Sequence, residues 1–134
     1  MQVNGLDHIN IVTEDLAGTA RFYAELLDLE VRDGPPGLDP AKVQWAYDRQ
    51  GRALIHLNAT DAFQPFAGRD ARALETTGAL HHVAFNCTGH EAMVARLDAR
   101  GMEYRRNLVP SIGLVQLFVI DPHGVLLELN FYEG

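Results

Sequence analysis

The sequence predicts an α+β fold in which one β-α-β-β-β unit is written twice, and two observations predict it. His8 and His56 stand 48 residues apart and His82 and Glu128 stand 46 apart, so four residues of metal-ligand type fall into two pairs of nearly one spacing. The segments that close each half also match, because Leu54-Ile55-His56-Leu57-Asn58 and Leu126-Leu127-Glu128-Leu129-Asn130 hold a candidate ligand in the same apolar frame.

In the first half, Leu6 to Val12 alternates apolar and polar residues as a half-buried strand does. Thr13 or Asp15 is placed to cap a helix whose inward positions are expected at Leu16, Ala20, Tyr23 and Leu27. Leu29 to Arg32, Val43 to Asp48 and Arg52 to Asn58 read as three further strands, with the Pro- and Gly-rich run Gly34 to Pro40 as a loop.

The second half keeps this order. His81 to Cys87 reads as a strand and Glu91 to Arg100 as a helix with Met93, Val94 and Leu97 inward, while Gly101 stands where a helix-ending glycine belongs. Arg96 and Arg100 suit the negative end of that helix. Strands are expected at Met102 to Arg105, Leu114 to Ile120 and Val125 to Tyr132, around the loop Pro110-Ser111-Ile112-Gly113 and the turn Asp121-Pro122-His123-Gly124. Residues 3–58 are thus module one and residues 80–132 module two of a single domain spanning 1–134. The stretch 59–79 links them, being longer than an ordinary structureless connection.

Composition narrows the function. With 134 residues of which 47% are hydrophobic, the chain can bury one core. A net charge of -7 and a pI near 5.2 argue against nucleic acid and anionic membrane as partners, which leaves a small molecule. Cys87 stands alone and cannot form an internal disulfide, the N-terminus lacks a signal-peptide layout, and no apolar run approaches the roughly 20 residues of a membrane span. Cytoplasm is the expected location.

Residues two apart on a strand share a face, so the neighbours of each candidate ligand can be read off. His8 goes with Asn10, His56 with Asn58, His82 with Asn86, and Glu128 with Asn130 and Tyr132, whereas the intervening positions are Ile, Leu, Val and Phe. Polar faces would line a cleft and oily faces would pack on the helices. Three imidazoles and a carboxylate brought together would hold a divalent metal. A lone strand histidine is more often a hydrogen-bonded residue than a ligand; shared parity and repeated spacing reverse that for His8, His82 and Glu128. His56 is open to two roles, ligand or catalytic base. His81 is expected on the opposite face in a structural role, His90 and His123 at the solvated surface, and Cys87 as a small buried apolar residue. Asn10 and Asn58 are candidates to bind substrate or to orient ligands, and Trp45, Tyr47, Phe118 and Tyr132 to stack on an aromatic substrate or to pack the core. Arg105 and Arg106 could meet a carboxylate or simply flank a strand.

Several short motifs stand in a telling order: Leu6-Asp7-His8-Ile9, Asp15-Leu16 with Phe22-Tyr23 and Leu27-Asp28-Leu29, His82-Val83-Ala84-Phe85, and Asp121-Pro122-His123-Gly124 with Glu128-Leu129. In this order the chain resembles the vicinal oxygen chelate superfamily, which includes glyoxalase I, methylmalonyl-CoA epimerase, fosfomycin-resistance enzymes, extradiol dioxygenases and bleomycin-resistance proteins. The resemblance implies two βαβββ modules, each a curved partial barrel, with a metal site in the cleft between them. It also implies a homodimer whose sites take ligands from both chains. By position His8, His82 and Glu128 correspond to the first, third and last ligand strands, and His56 falls where glyoxalase I has a Glu and the epimerase a Gln.

The function this resemblance implies is a divalent-metal lyase or isomerase (Ni, Co, Zn, Mn or Fe) that chelates a substrate through adjacent oxygens and stabilises an enediolate, with His56 and Glu128 as catalytic residues. Four ligands leave two positions on an octahedral ion, which suits a bidentate substrate better than substrate plus oxygen. An extradiol Fe(II) dioxygenase using His8, His82 and Glu128 is the alternative, and a non-catalytic drug-binding protein of the bleomycin-resistance type another. A fosfomycin-type transferase would need a cation loop and basic phosphonate contacts that the sequence does not display. The segments 34–42, 59–78 and 107–113 are expected to set substrate choice.

Overall fold

A computed structural model describes residues 1–2, 4–62, 77–78 and 80–132. The chain divides into two compact units, Met1–Thr76 and Thr77–Gly134. Unit one contains β1 (Ile9–Thr13), α1 (Leu16–Leu27), β2 (Glu30–Asp33), β3 (Val43–Tyr47) and β4 (Ala53–Ala59), and unit two contains β5 (Val83–Cys87), α2 (His90–Ala99), β6 (Arg105–Val109), β7 (Leu114–Ile120) and β8 (Leu126–Phe131). The sheets run β1-β4-β3-β2 and β5-β8-β7-β6, with a parallel first pair and antiparallel pairs thereafter. The two units therefore share one topology. Among the described residues neither sheet closes on itself, consistent with partial barrels.

Local chemistry starts α1. Asp15 is its N-cap, its Oδ1 accepting from the Gly18 N–H at 2.9 Å, and Thr13 Oγ1 accepts from the Asp15 N–H at 2.9 Å. Of the two capping candidates Asp15 is the cap, and Thr13 steadies it. The buried face is Thr19, Phe22, Tyr23 and Leu26, so only Tyr23 of the four expected inward positions is fully buried. The stripe is turned because Thr19 Oγ1 hydrogen-bonds Thr13 Oγ1 at 2.9 Å in the interior, and satisfying two buried hydroxyls chooses between apolar faces of similar content. α1 packs on β3 and β4, where Ala46, Ile55 and Leu57 are buried.

In unit two, α2 buries Met93 and Leu97, and Val94 is only half-buried. Its end is a Schellman turn in which Gly101, at φ 63°, donates to Asp98 O and Met102 donates to Leu97 O, both at 3.0 Å. That turn corrects the expected strand at Met102 to Arg105, since it consumes 101 and 102 and β6 begins at Arg105. Residues 107–109, part of the segment 107–113 expected to set substrate choice, are strand because β7 pairs with them from Arg105↔Phe118 to Val109↔Leu114. Pro110–Ile112 forms a 3-10 turn. Asp121 Oδ1 accepts from the His123 and Val125 N–H groups at 2.8 Å each and closes the turn into β8. Of the expected link, Ala59 belongs to β4, and 63–76 and 79 lie outside the described residues.

Candidate metal centre

In unit one His56 occupies the middle of β4 and pairs with Asn10 of β1 on one side and Trp45 of β3 on the other. Its ring is sandwiched. Trp45 stacks on one face at 3.8 Å and 6°, and His8 stacks at 3.7 Å and 13°. His8 lies one residue before β1, and its Nδ1 is 2.6 Å from Asp7 Oδ1, which leaves Nε2 as the nitrogen available to a metal. Burial lowers the His56 pKa, and the charge of His8 lowers it further against the opposing pull of Asp7. Both causes favour the neutral imidazole, the form that can bind a metal or accept a proton.

Two asparagines behave differently. Asn10 is exposed, whereas Asn58 is only 7% exposed and its buried Oδ1 has no hydrogen-bond partner among the described residues. Its neighbours across the ladder, Val12 and Val43, offer the amide no polar side chain.

In unit two His82 Nε2 lies 3.0 Å from Glu128 Oε2. Gln116 Nε2 donates to Glu128 Oε1 at 2.6 Å and to Asn130 Oδ1 at 3.2 Å, and Asn107 Nδ2 donates to Gln116 Oε1 at 2.7 Å. This chain of amides was missed in the sequence, although Gln116 alone is polar within the apolar strand Leu114 to Ile120. His81 is also corrected: its Nδ1 is 2.9 Å from His82 Nδ1. Both residues precede β5, so strand parity does not separate them. His90 is half-buried with its ring 6.1 Å from that of Phe131, His123 is half-buried, and Cys87 is half-buried with Sγ 3.6 Å from Phe85 O. Tyr132 is 55% exposed just beyond β8.

The repeat extends across whole sheets. In unit one the paired row reads Asn10, His56, Trp45, Arg32, and in unit two it reads Ala84, Glu128, Phe118, Arg105. Ligand-type residue, aromatic ring and arginine recur in one order. His8 meets His56 and His82 meets Glu128, two candidate ligands per unit, and no group of three or more metal-ligating side chains gathers among the described residues.

The family model described as the Glyoxalase/Bleomycin resistance protein/Dioxygenase superfamily matches residues 5–129. The chain belongs to this superfamily. Among solved structures, a virulence protein from Salmonella typhimurium is 21% identical with a TM-score of 0.71, covering 98% of this chain and 99% of its own. Lactoylglutathione lyase from Agrobacterium tumefaciens is 17% identical with a TM-score of 0.62 over 98% and 96%. A mutant of the fosfomycin resistance protein FosX from Listeria monocytogenes, in complex with Mn(II) and 1S,2S-dihydroxypropylphosphonic acid, is 20% identical with a TM-score of 0.64 over 96% and 90%. At these identities the likeness speaks to the glyoxalase-superfamily fold. No curated protein matches the chain. Among the described residues no helix is long and apolar enough to cross a membrane.

Proposed function

We propose that the protein is a divalent-metal lyase or isomerase of the glyoxalase type, acting on a small substrate that chelates the ion through adjacent oxygens. His8, His56, His82 and Glu128 would hold the ion, in a cytoplasmic homodimer whose sites are shared between chains and whose two units are modules of one domain. The observation that carries this reading is the pair His82 and Glu128. Their facing atoms are 3.0 Å apart. That separation matches adjacent donors on an ion about 2.1 Å from each. The FosX complex with Mn(II) supports a divalent ion in this superfamily.

A bound ion supplies charge stabilisation for an oxygen that becomes anionic as a neighbouring C–H loses its proton. The chain's own residues do the rest. Gln116 holds Oε1 of Glu128 and leaves Oε2 toward His82, and Asp7 holds the His8 ring by Nδ1. His56, its neutral form favoured, offers a ring nitrogen to the ion or to the substrate proton. Trp45 and Phe118, at equivalent row positions, offer ring faces to a planar substrate. Asn10, Asn58 and Tyr132 supply further polar contacts.

Metal uptake after chelator treatment, measured on wild type, His82→Ala and Glu128→Ala, tests the site, and turnover of hemithioacetals, α-hydroxycarbonyl compounds and thioesters tests the class. Wild type is expected to bind tightly and both variants to lose the ion while staying folded. Full occupancy in both variants ends the assignment. Oxygen uptake with catechols by the Fe(II) form would move the protein to the dioxygenases, and ligand binding without turnover by any metal form would move it to the drug-binding proteins.

A further inference from the structure

Unit two contains an open cavity of about 520 Å³, walled by Phe118, Ile120 and Leu126 together with Tyr104 and Arg105. The size suits a small organic ligand. Arg105 pairs with Phe118 across β6 and β7, and Phe118 pairs with Glu128 across β7 and β8. Directly paired residues point to one face, so cavity and Glu128 share a side of the sheet. Two paired steps of about 4.5–5.5 Å put the Arg105 backbone about 10 Å from that of Glu128. The apolar wall is open, with Ile120 54% exposed.

Arg32, at the equivalent position of unit one, is already engaged, its guanidinium 3.8 Å over the Tyr47 ring and its Nε 3.7 Å from Glu30. Arg105 differs. Among the described residues no carboxylate pairs with it.

We propose that this cavity is the tail subsite of the metal-chelating site: the substrate carries a carboxylate at the end remote from its chelating oxygens, its apolar body lies on Phe118, and Arg105 holds the carboxylate. The inference rests on the reading of Glu128 as a metal ligand. A guanidinium fork matches a carboxylate through two parallel hydrogen bonds, and an apolar wall that excludes water strengthens them. Glu103 also borders the cavity. Its charge makes an ammonium tail the competing chemistry, and the test must separate the two.

Three catechols share a chelating head and ring but differ in tail charge: 3-(3,4-dihydroxyphenyl)propanoate, neutral 4-ethylcatechol, and 3,4-dihydroxyphenethylamine. Zn(II) uptake is measured first in wild type, Arg105→Met and Arg106→Met, and the Kd of each catechol is then determined without oxygen on the Zn(II)-loaded proteins. The expected order in wild type is carboxylate tightest and amine weakest, with the carboxylate favoured about 10-fold or more over the neutral tail. Arg105→Met should remove that preference with Zn(II) uptake unchanged, and Arg106→Met, on the alternate face of β6, should keep it. Normal Zn(II) uptake with equal binding of the three probes, no binding of any, preference for the amine, or equal loss in Arg106→Met overturns the subsite alone. A wild type that takes up no Zn(II) overturns the metal-site reading and the subsite with it.

Discussion

Gln116 holds Glu128. Its Nε2 donates to Glu128 Oε1 at 2.6 Å, and its own Oε1 accepts from Asn107 at 2.7 Å, so the amide orientation is set from both ends. Gln116→Leu should weaken divalent-metal affinity about 10-fold, as loss of a ligand-orienting partner does. The same change strands polar atoms of half-buried Glu128 and Asn130, with an expected stability cost of about 1–3 kcal/mol. Metal competition and urea unfolding read the two effects; unchanged affinity would remove Gln116 from the site.

His56 makes the metal-free protein sensitive to acid. Its folded pKa lies below the reference 6.5, so below that value the unfolded chain binds more protons than the folded one. The contribution of neutral His56 is present above about pH 6.5 and is lost as pH falls through the folded pKa. Trp45 is the single tryptophan and lies on the His56 ring, so its emission should report that titration with a midpoint below 6.5. His56→Gln should abolish the transition, and a midpoint above 6.5 in wild type would contradict the burial argument.

Among the described residues buried Asn58 Oδ1 lacks a partner, between Val12 and Val43. Asn58→Val should raise stability by about 1 kcal/mol, since it removes a desolvated acceptor from apolar surroundings. A lower urea midpoint would show that the amide has a partner in solution. If ligand binding weakens while stability rises, Asn58 serves the substrate.

Gly18 in α1 tests the cap. Alanine normally stabilises an exposed helix position by about 1 kcal/mol over glycine. Here an added Cβ meets the Asp15 carboxylate that caps the helix, so Gly18→Ala should show little or no gain. In an Asp15→Ala background the same change should recover the ordinary gain, and thermal unfolding of the four proteins measures the difference.

What the sequence determined by itself was local or periodic. The apolar run at residues 114–120 marked β7 to the residue, Thr13 or Asp15 announced the start of α1, Gly101 the end of α2, and the paired spacings of His8, His56, His82 and Glu128 announced the repeat. These signals survive in one sequence because backbone caps and strand faces depend on neighbours a few residues away. Tertiary structure decided what depends on partners far along the chain. The face α1 buries was chosen by a hydroxyl pair between Thr13 and Thr19, β6 was placed by its register with β7, Asn58 was buried by Val12 and Val43, and Gln116 found Glu128 across a ladder. Each is a pairing or burial outcome. A strand's local pattern specifies which side chains share a face, and only the neighbouring strand specifies what each side chain meets.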